Sequence, residues 1–260
     1  MPIRSRTNVA ARWPRRARGL PPGQRRLGTF PRFSDQPHRR PPPPPARVEL
    51  RIGGPGLADR IVALDELLAL PQHERRSDFH CVTTWSFQGL TWGGVSLADV
   101  WRAIVEPHAD TAAVAPFAVA AGADGYRAVL HRDDLLSGDV LIAHTLDGAP
   151  LDARHGAPLR LVSPSQYGYK NVKHLAALEL HATRPASTLR PKEHLRARVA
   201  LEERHSRIPG RLLRLPYRAV VPVTIAVAER HAEPRPAADR DDGPPTDGPR
   251  GPARRGGPTD

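Results

Sequence analysis

The chain has 260 residues, 39% hydrophobic and only 5% aromatic, with 30 prolines. It is long enough for one sizeable core but lean for a chain folded throughout, so a compact centre with loose ends is expected. Residues 1–47 hold twelve Arg against one Asp and residues 184–260 hold sixteen Lys and Arg against ten acids, whereas 48–183 hold eleven basic and sixteen acidic residues; the net charge of +12 therefore lies in the flanks, the centre is no basic platform, and specific nucleic-acid binding is excluded as the main role.

Residues 1–46 lack apolar periodicity and read as a disordered basic arm, with a stiff polyproline spacer at Pro41–Pro45. The pairs Arg15–Arg16 and Arg25–Arg26 lack the apolar stretch that a twin-arginine export signal needs, and no segment approaches the ~20 apolar residues of a membrane span. Cytoplasm is the expected location. Order begins at Arg47, where alternation over 47–52 predicts a half-buried strand. Leu64–Leu70 predicts a short helix stopped by Pro71. A strand is expected over 78–83, and a helix capped by Ser96 along Leu97, Val100, Trp101 and Ile104. Further strands are expected over 115–121, 126–130, 139–143, 158–162 and 175–181, with turns at Asp124-Gly125 and Asp147-Gly148 and one helical turn over 131–136. Many short strands with few short helices make a mixed, mostly β, α+β domain over 47–185. A C-terminal helical extension over 186–230 follows, with helical pieces at 196–205 and 212–228, and then a disordered tail over 231–260.

Cys81 is the one cysteine, which excludes an intrachain disulfide and any multi-cysteine zinc or iron–sulfur site. A lone strand cysteine is commonly a small buried hydrophobe. A thiol hydrolase would need a nearby base, and His80 points to the opposite face of the expected strand. The second informative stretch is 156–175, a strand running into a loop with two tyrosines and several cations. Arg160, Lys170 and Lys173 suit an anionic group such as a phosphate, or else form a charged surface loop, and Gly168 permits close backbone approach to a ligand.

Taken together, His80-Cys81-Val82-Thr83-Thr84-Trp85-Ser86, Trp92-Gly93-Gly94-Val95, Ala157–Val162 and Tyr167-Gly168-Tyr169-Lys170-Asn171-Val172-Lys173 resemble the molybdopterin-binding domain of the sulfite oxidase superfamily. The bacterial branch that includes the catalytic subunit of methionine-sulfoxide reductase is the closer likeness. Leu20–Gln24 and Glu202–His205 also resemble segments of soluble actinobacterial-type members. The resemblance implies a molybdenum–molybdopterin cofactor with Cys81 as thiolate ligand to the metal, and oxo transfer to or from a small sulfur or nitrogen compound. By motif match, Arg160 and Lys173 hold the pterin phosphate or its polar edge, with Lys170 beside them. Asn171 and Val172 add hydrogen bonds. His155 stands where relatives place an Asn, and Thr84 where many have Lys or Arg. Tyr167 and Tyr169 flank the pocket as oxyanion donors, while Trp85 and Trp92 pack. No haem segment is seen, so electrons pass to or from a separate partner, which the basic flanks would steer if it is acidic; a monomer is expected. The alternative is a non-catalytic cofactor- or polyanion-binding protein that retains the fold.

Overall fold

The computed structural model of the chain describes residues 19–28, 30, 41–54, 57–108 and 115–230, with side chains described as far as residue 223. The expected tail over 231–260 and most of the expected arm lie outside these residues. Two sheets carry the fold. The first contains β1 (Arg25–Arg26), β4 (Gln72–His80), β5 (Trp85–Ser96), β8 (Leu141–Leu146), β9 (Ala149–Pro150) and β10 (Arg160–Val162), with a spine β1-β5-β8-β10. The second contains β2 (Glu49–Gly54), β3 (Leu57–Ala63), β6 (Phe117–Gly122), β7 (Arg127–His131) and β11 (Leu175–His181), in the order β3-β2-β11-β6-β7. The helices are short: α1 (Leu64–Leu68), α2 (Leu97–Val100) running into a π-helical turn over Trp101–Val105, and α3 (Arg132–Leu135). The longer α4 (Arg214–Arg230) closes the described chain. This is the mixed, mostly β architecture expected. No helix among the described residues is long and apolar enough to cross a membrane.

Side-chain alternation in the strands divides the interior. On β8, Ile142 joins the main core while Leu141 and Ala143 face a second cluster built on Leu90 and Trp92. On β10, Leu161 points into the main core and Val162 into the second. The same two-residue period puts Arg160 on the side of Val162, against aromatic rings. Leu50, Ile52, Val62, Leu130 and Leu135 fill the main core with 0–1% exposure, each contributing about 1.5–3 kcal/mol.

Three expectations need correction. Cys81 is not in a strand: β4 stops at His80, and Cys81–Thr84 form the turn into β5, with the Thr84 N–H donating to the Cys81 carbonyl at 3.2 Å. The arm is not disordered throughout, because Arg25 and Arg26 pair in parallel with Trp85 and Ser86, and Gln24 is buried. This pairing depends on the free edge of β5, which local periodicity cannot reveal. Over 196–205 there is only a single 3-10 turn, Val199–Leu201, since Ala197 (φ 52°) and Glu202 (φ 54°) adopt left-handed conformations that break a helix. Strands β3 and β5 and the first half of β4 escape sequence reading. Segment 72–77 is polar, and β5 is interrupted by Gly89, Gly93 and Gly94.

Candidate functional site

The turn after β4 fixes Cys81 from every backbone direction. Its N–H donates to the Trp85 carbonyl at 2.8 Å, and its carbonyl accepts from Gln24 Nε2 at 3.1 Å as well as from Thr84. Thr84 closes the turn at φ 77°, an uncommon and costly conformation for a β-branched residue. The thiol lies 3.1 Å from Thr83 Oγ1 and is 9% exposed. Burial pushes its pKa up, opposed by the Thr83 hydrogen bonds and by the Arg204 charge. Left alone, Cys81 is a neutral, poorly nucleophilic thiol. That disfavours a thiol hydrolase.

Three buried side chains pack against the turn that carries the thiol, and Tyr217 on α4 lies near enough to Cys81 and Arg204 to interact with both. Tyr167 is fully buried in a small cluster with Ala197 and Val199, against which Val82 packs. Its hydroxyl makes no hydrogen bond of good geometry, although Gln24 is near enough to influence it; burial pushes its pKa up to about 12, so it stays protonated as a donor. Arg204, 1% exposed, donates to the Val82 carbonyl and lies with its guanidinium carbon 4.9 Å from the Tyr167 ring centre. Gln24 bonds both the Cys81 carbonyl and Ser86.

A second group lies across Phe79, two residues before Cys81. Arg160 is 1% exposed, donates through Nη1 to the His155 carbonyl at 2.8 Å, and leaves its Nε buried without a partner. Its guanidinium sits 5.0 Å from the Trp92 ring centre and 5.5 Å from that of Phe79. No carboxylate among the described residues pairs with it, and burial lowers its pKa to about 9. His155 is partly exposed, stacks on Phe30 at 5.3 Å and holds Asp152 at 2.8 Å. Burial works against ionising Asp152, but the bonds to His155 outweigh it and lower its pKa to about 2.

The structure does not bring all the expected residues to the pocket. Lys170 is fully buried, with its ammonium committed to Glu193 and the Val129 carbonyl, so it cannot grip a phosphate. Tyr169 turns its hydroxyl to the backbone of His194 and Glu203 instead of acting as an oxyanion donor. Asn171 pins the end of β10, its Oδ1 accepting from the Ser163 N–H at 2.9 Å, and Val172 is core. Lys173 is partly exposed, two residues beyond Asn171, with its Cα and Cβ against Gly156. The space above Gly168 belongs to the Phe79 ring, not to a ligand: a Cβ there would lie 2.3 Å from Phe79 Cζ. A groove of about 450 Å³ along 201–211 is lined by none of Cys81, Arg160 and Tyr167. Sequence reasoning missed Phe79 and Glu193 entirely. Gln24 and Arg204 sat inside segments whose resemblance to relatives was the only signal.

These residues fit an anionic cofactor with a soft metal. They present a buried cation that lacks a counter-ion, with a free N–H, and a lone thiol held in a rigid turn. No cluster of three or more His, Cys, Asp or Glu that could hold a metal exists among the described residues. The family described as "Oxidoreductase molybdopterin binding domain" matches residues 38–189, and the chain belongs to it. Among curated relatives, the uncharacterized oxidoreductase YuiH of Bacillus subtilis is 33% identical over 126 residues, covering 48% of this chain and 61% of that protein. The protein-methionine-sulfoxide reductase catalytic subunit MsrP of Xanthomonas axonopodis is 30% identical over 163 residues, covering 56% and 49%. The sulfane dehydrogenase SoxCD of Paracoccus pantotrophus aligns with a TM-score of 0.47 at 21% identity, over 55% of this chain and 41% of that one. The chain thus spans roughly half to three fifths of the length of these curated relatives.

Proposed function

We propose that the chain is a molybdenum-dependent oxidoreductase in which the Cys81 thiolate holds the metal while Arg160, with Lys173, holds the pterin phosphate or its polar edge. The observation that carries this reading is Arg160. A buried guanidinium without a counter-ion costs several kcal/mol, and an anion placed at its free Nε would recover that cost. The bound metal supplies two-electron chemistry and exchange of one oxygen atom with a small sulfur or nitrogen compound. The protein's own part is positional and electrostatic. The Cys81–Thr84 turn holds the thiolate at one orientation, and ligation keeps it deprotonated against its burial. Tyr167 supplies a neutral hydroxyl donor beside it, and the closed aromatic wall of Phe79, Trp85 and Trp92 excludes water. The relatives named as methionine-sulfoxide reductases support a sulfoxide as the first substrate to try. Electrons come from a separate partner.

The test is molybdenum and pterin analysis of chain made in a host that synthesises molybdopterin, with turnover followed on methionine sulfoxide and a reduced dye. About one molybdenum per chain, lost on Cys81→Ser, together with turnover, is expected. Folded chain recovered from that host with neither molybdenum nor pterin bound would overturn the reading. Molybdenum without turnover on any sulfur or nitrogen substrate would leave a cofactor-binding protein that has lost activity.

A further inference from the structure

Helix α4 is turned the reverse way to an ordinary surface helix. Arg214, Tyr217 and Arg218 are half-buried, whereas Leu215, Ala219 and Val223 are exposed. At 3.6 residues per turn these sets occupy opposite sides, so the polar side chains point inward and the outer stripe carries no charge between 215 and 223. The preceding 3-10 turn, Gly210–Leu213, extends the stripe through Leu212. Leu212 is 62% exposed, Leu215 74% and Val223 64%, and six of the eight large apolar side chains exposed among the described residues fall between 201 and 223. A surface that meets only water scatters such side chains singly, whereas a cluster marks a surface that something covers. The helix cannot roll to hide its stripe, because Arg214 donates to Glu202 at 2.8 Å and Tyr217 interacts with Arg204 and Cys81. The charge around the stripe is of one sign. Between Glu203 and Glu229 the sequence holds five Arg and no acid. Arg207 and Arg211 are exposed along one groove, and their guanidiniums join no ion pair among the described residues. Ala219 to Ala228 runs ten residues without a charge, too short to span a bilayer and of a length suited to lying in its interface.

We propose that α4 docks the chain on an anionic lipid surface, lying in the plane of the interface. Leu212, Leu215 and Val223 enter the boundary of the acyl chains, and Arg207 and Arg211 meet the lipid phosphates. An anionic bilayer offers hydrocarbon and negative charge together, which is what this face lacks. A second copy of the chain would cover the apolar stripe but would set the same uncompensated guanidiniums against each other. Docking turns toward the lipid the side of the molecule on which α4 backs the Cys81 turn.

The test is flotation of the full-length chain with vesicles of phosphatidylglycerol and phosphatidylcholine, beside vesicles of phosphatidylcholine alone. Thermal midpoint and sedimentation are measured on the same samples. The wild type should float with the anionic vesicles, less so at high salt, and bind the neutral ones at least tenfold more weakly, by the rule of about 1 kcal/mol per basic residue. Leu215→Gln/Val223→Gln should weaken partitioning by about tenfold to a hundredfold with the charge unchanged. Arg207→Gln/Arg211→Gln should weaken it by about fivefold to thirtyfold. Leu212→Gln, on the turn before α4, should weaken it by about threefold to tenfold and carries the comparison if the Leu215/Val223 variant has a lowered midpoint. No flotation of the wild type overturns the proposal. Full binding by both Leu variants also overturns it, by reducing the attraction to the charge of the basic flanks. A dimer that forms without vesicles and is dispersed by Leu215→Gln/Val223→Gln, in a chain that does not float, overturns it by assigning the stripe to a second copy.

Discussion

Arg160 meets the low dielectric of the interior with one carbonyl, two aromatic faces and no carboxylate. Cation–π contact offsets part of the desolvation, on the order of 2 kcal/mol, and leaves the rest uncompensated. Arg160→Met should therefore stabilise the cofactor-free chain by about 1–4 kcal/mol in urea unfolding, while the same substitution lowers pterin retention. A destabilised cofactor-free variant would show that Arg160 is structural. At this scale the sequence was half legible. Cys81 and Arg160 stood out by residue type and motif, whereas Lys170 carried the same charge and the same motif yet is neutralised by Glu193, a residue 23 positions away that no local pattern couples to it.

The loop over 166–171 and the segment over 193–204 act as one element, because the first is fastened to the second by buried polar contacts. Breaking a buried ion pair leaves its partner's charge stranded, so Lys170→Met should cost about 3–5 kcal/mol, and Lys170→Met/Glu193→Leu should recover most of that. Denaturant unfolding of the single and double variants checks this; a mild single variant would return Lys170 to the phosphate role. Strand β11 was read from sequence with its observed limits, Leu175–His181, from a short apolar run that passes into alternation over Leu178–His181. Strand β5 escaped because its glycines carry no periodic signal. Its existence depends on β4 and β8 pairing along it, which is a tertiary cause.

Across the whole molecule, burial holds His80 neutral with a pKa lowered to about 4, and lowers His144 and His194 as well. The unfolded chain takes up protons on these rings below about pH 6.5, while the folded chain resists until lower. Stability of the cofactor-free chain is therefore complete above pH 6.5 and falls as pH drops toward 4, by roughly 3 kcal/mol from His80 alone. Thermal midpoints measured from pH 7 to pH 4 check the direction, and a flat profile would contradict it. The basic flanks predict salt-sensitive electron transfer with an acidic partner, weakened when residues 1–18 are removed. The deletion has to stop there, because Gln24 bonds the Cys81 carbonyl. Unchanged salt dependence would remove the steering role.

The central claim is that Cys81 binds the metal directly, and molybdenum-edge X-ray absorption counts the sulfur ligands most directly. Two sulfurs from the cofactor plus one from Cys81 predict about three in the wild type and about two in Cys81→Ser. The same sulfur count in both proteins would contradict the account.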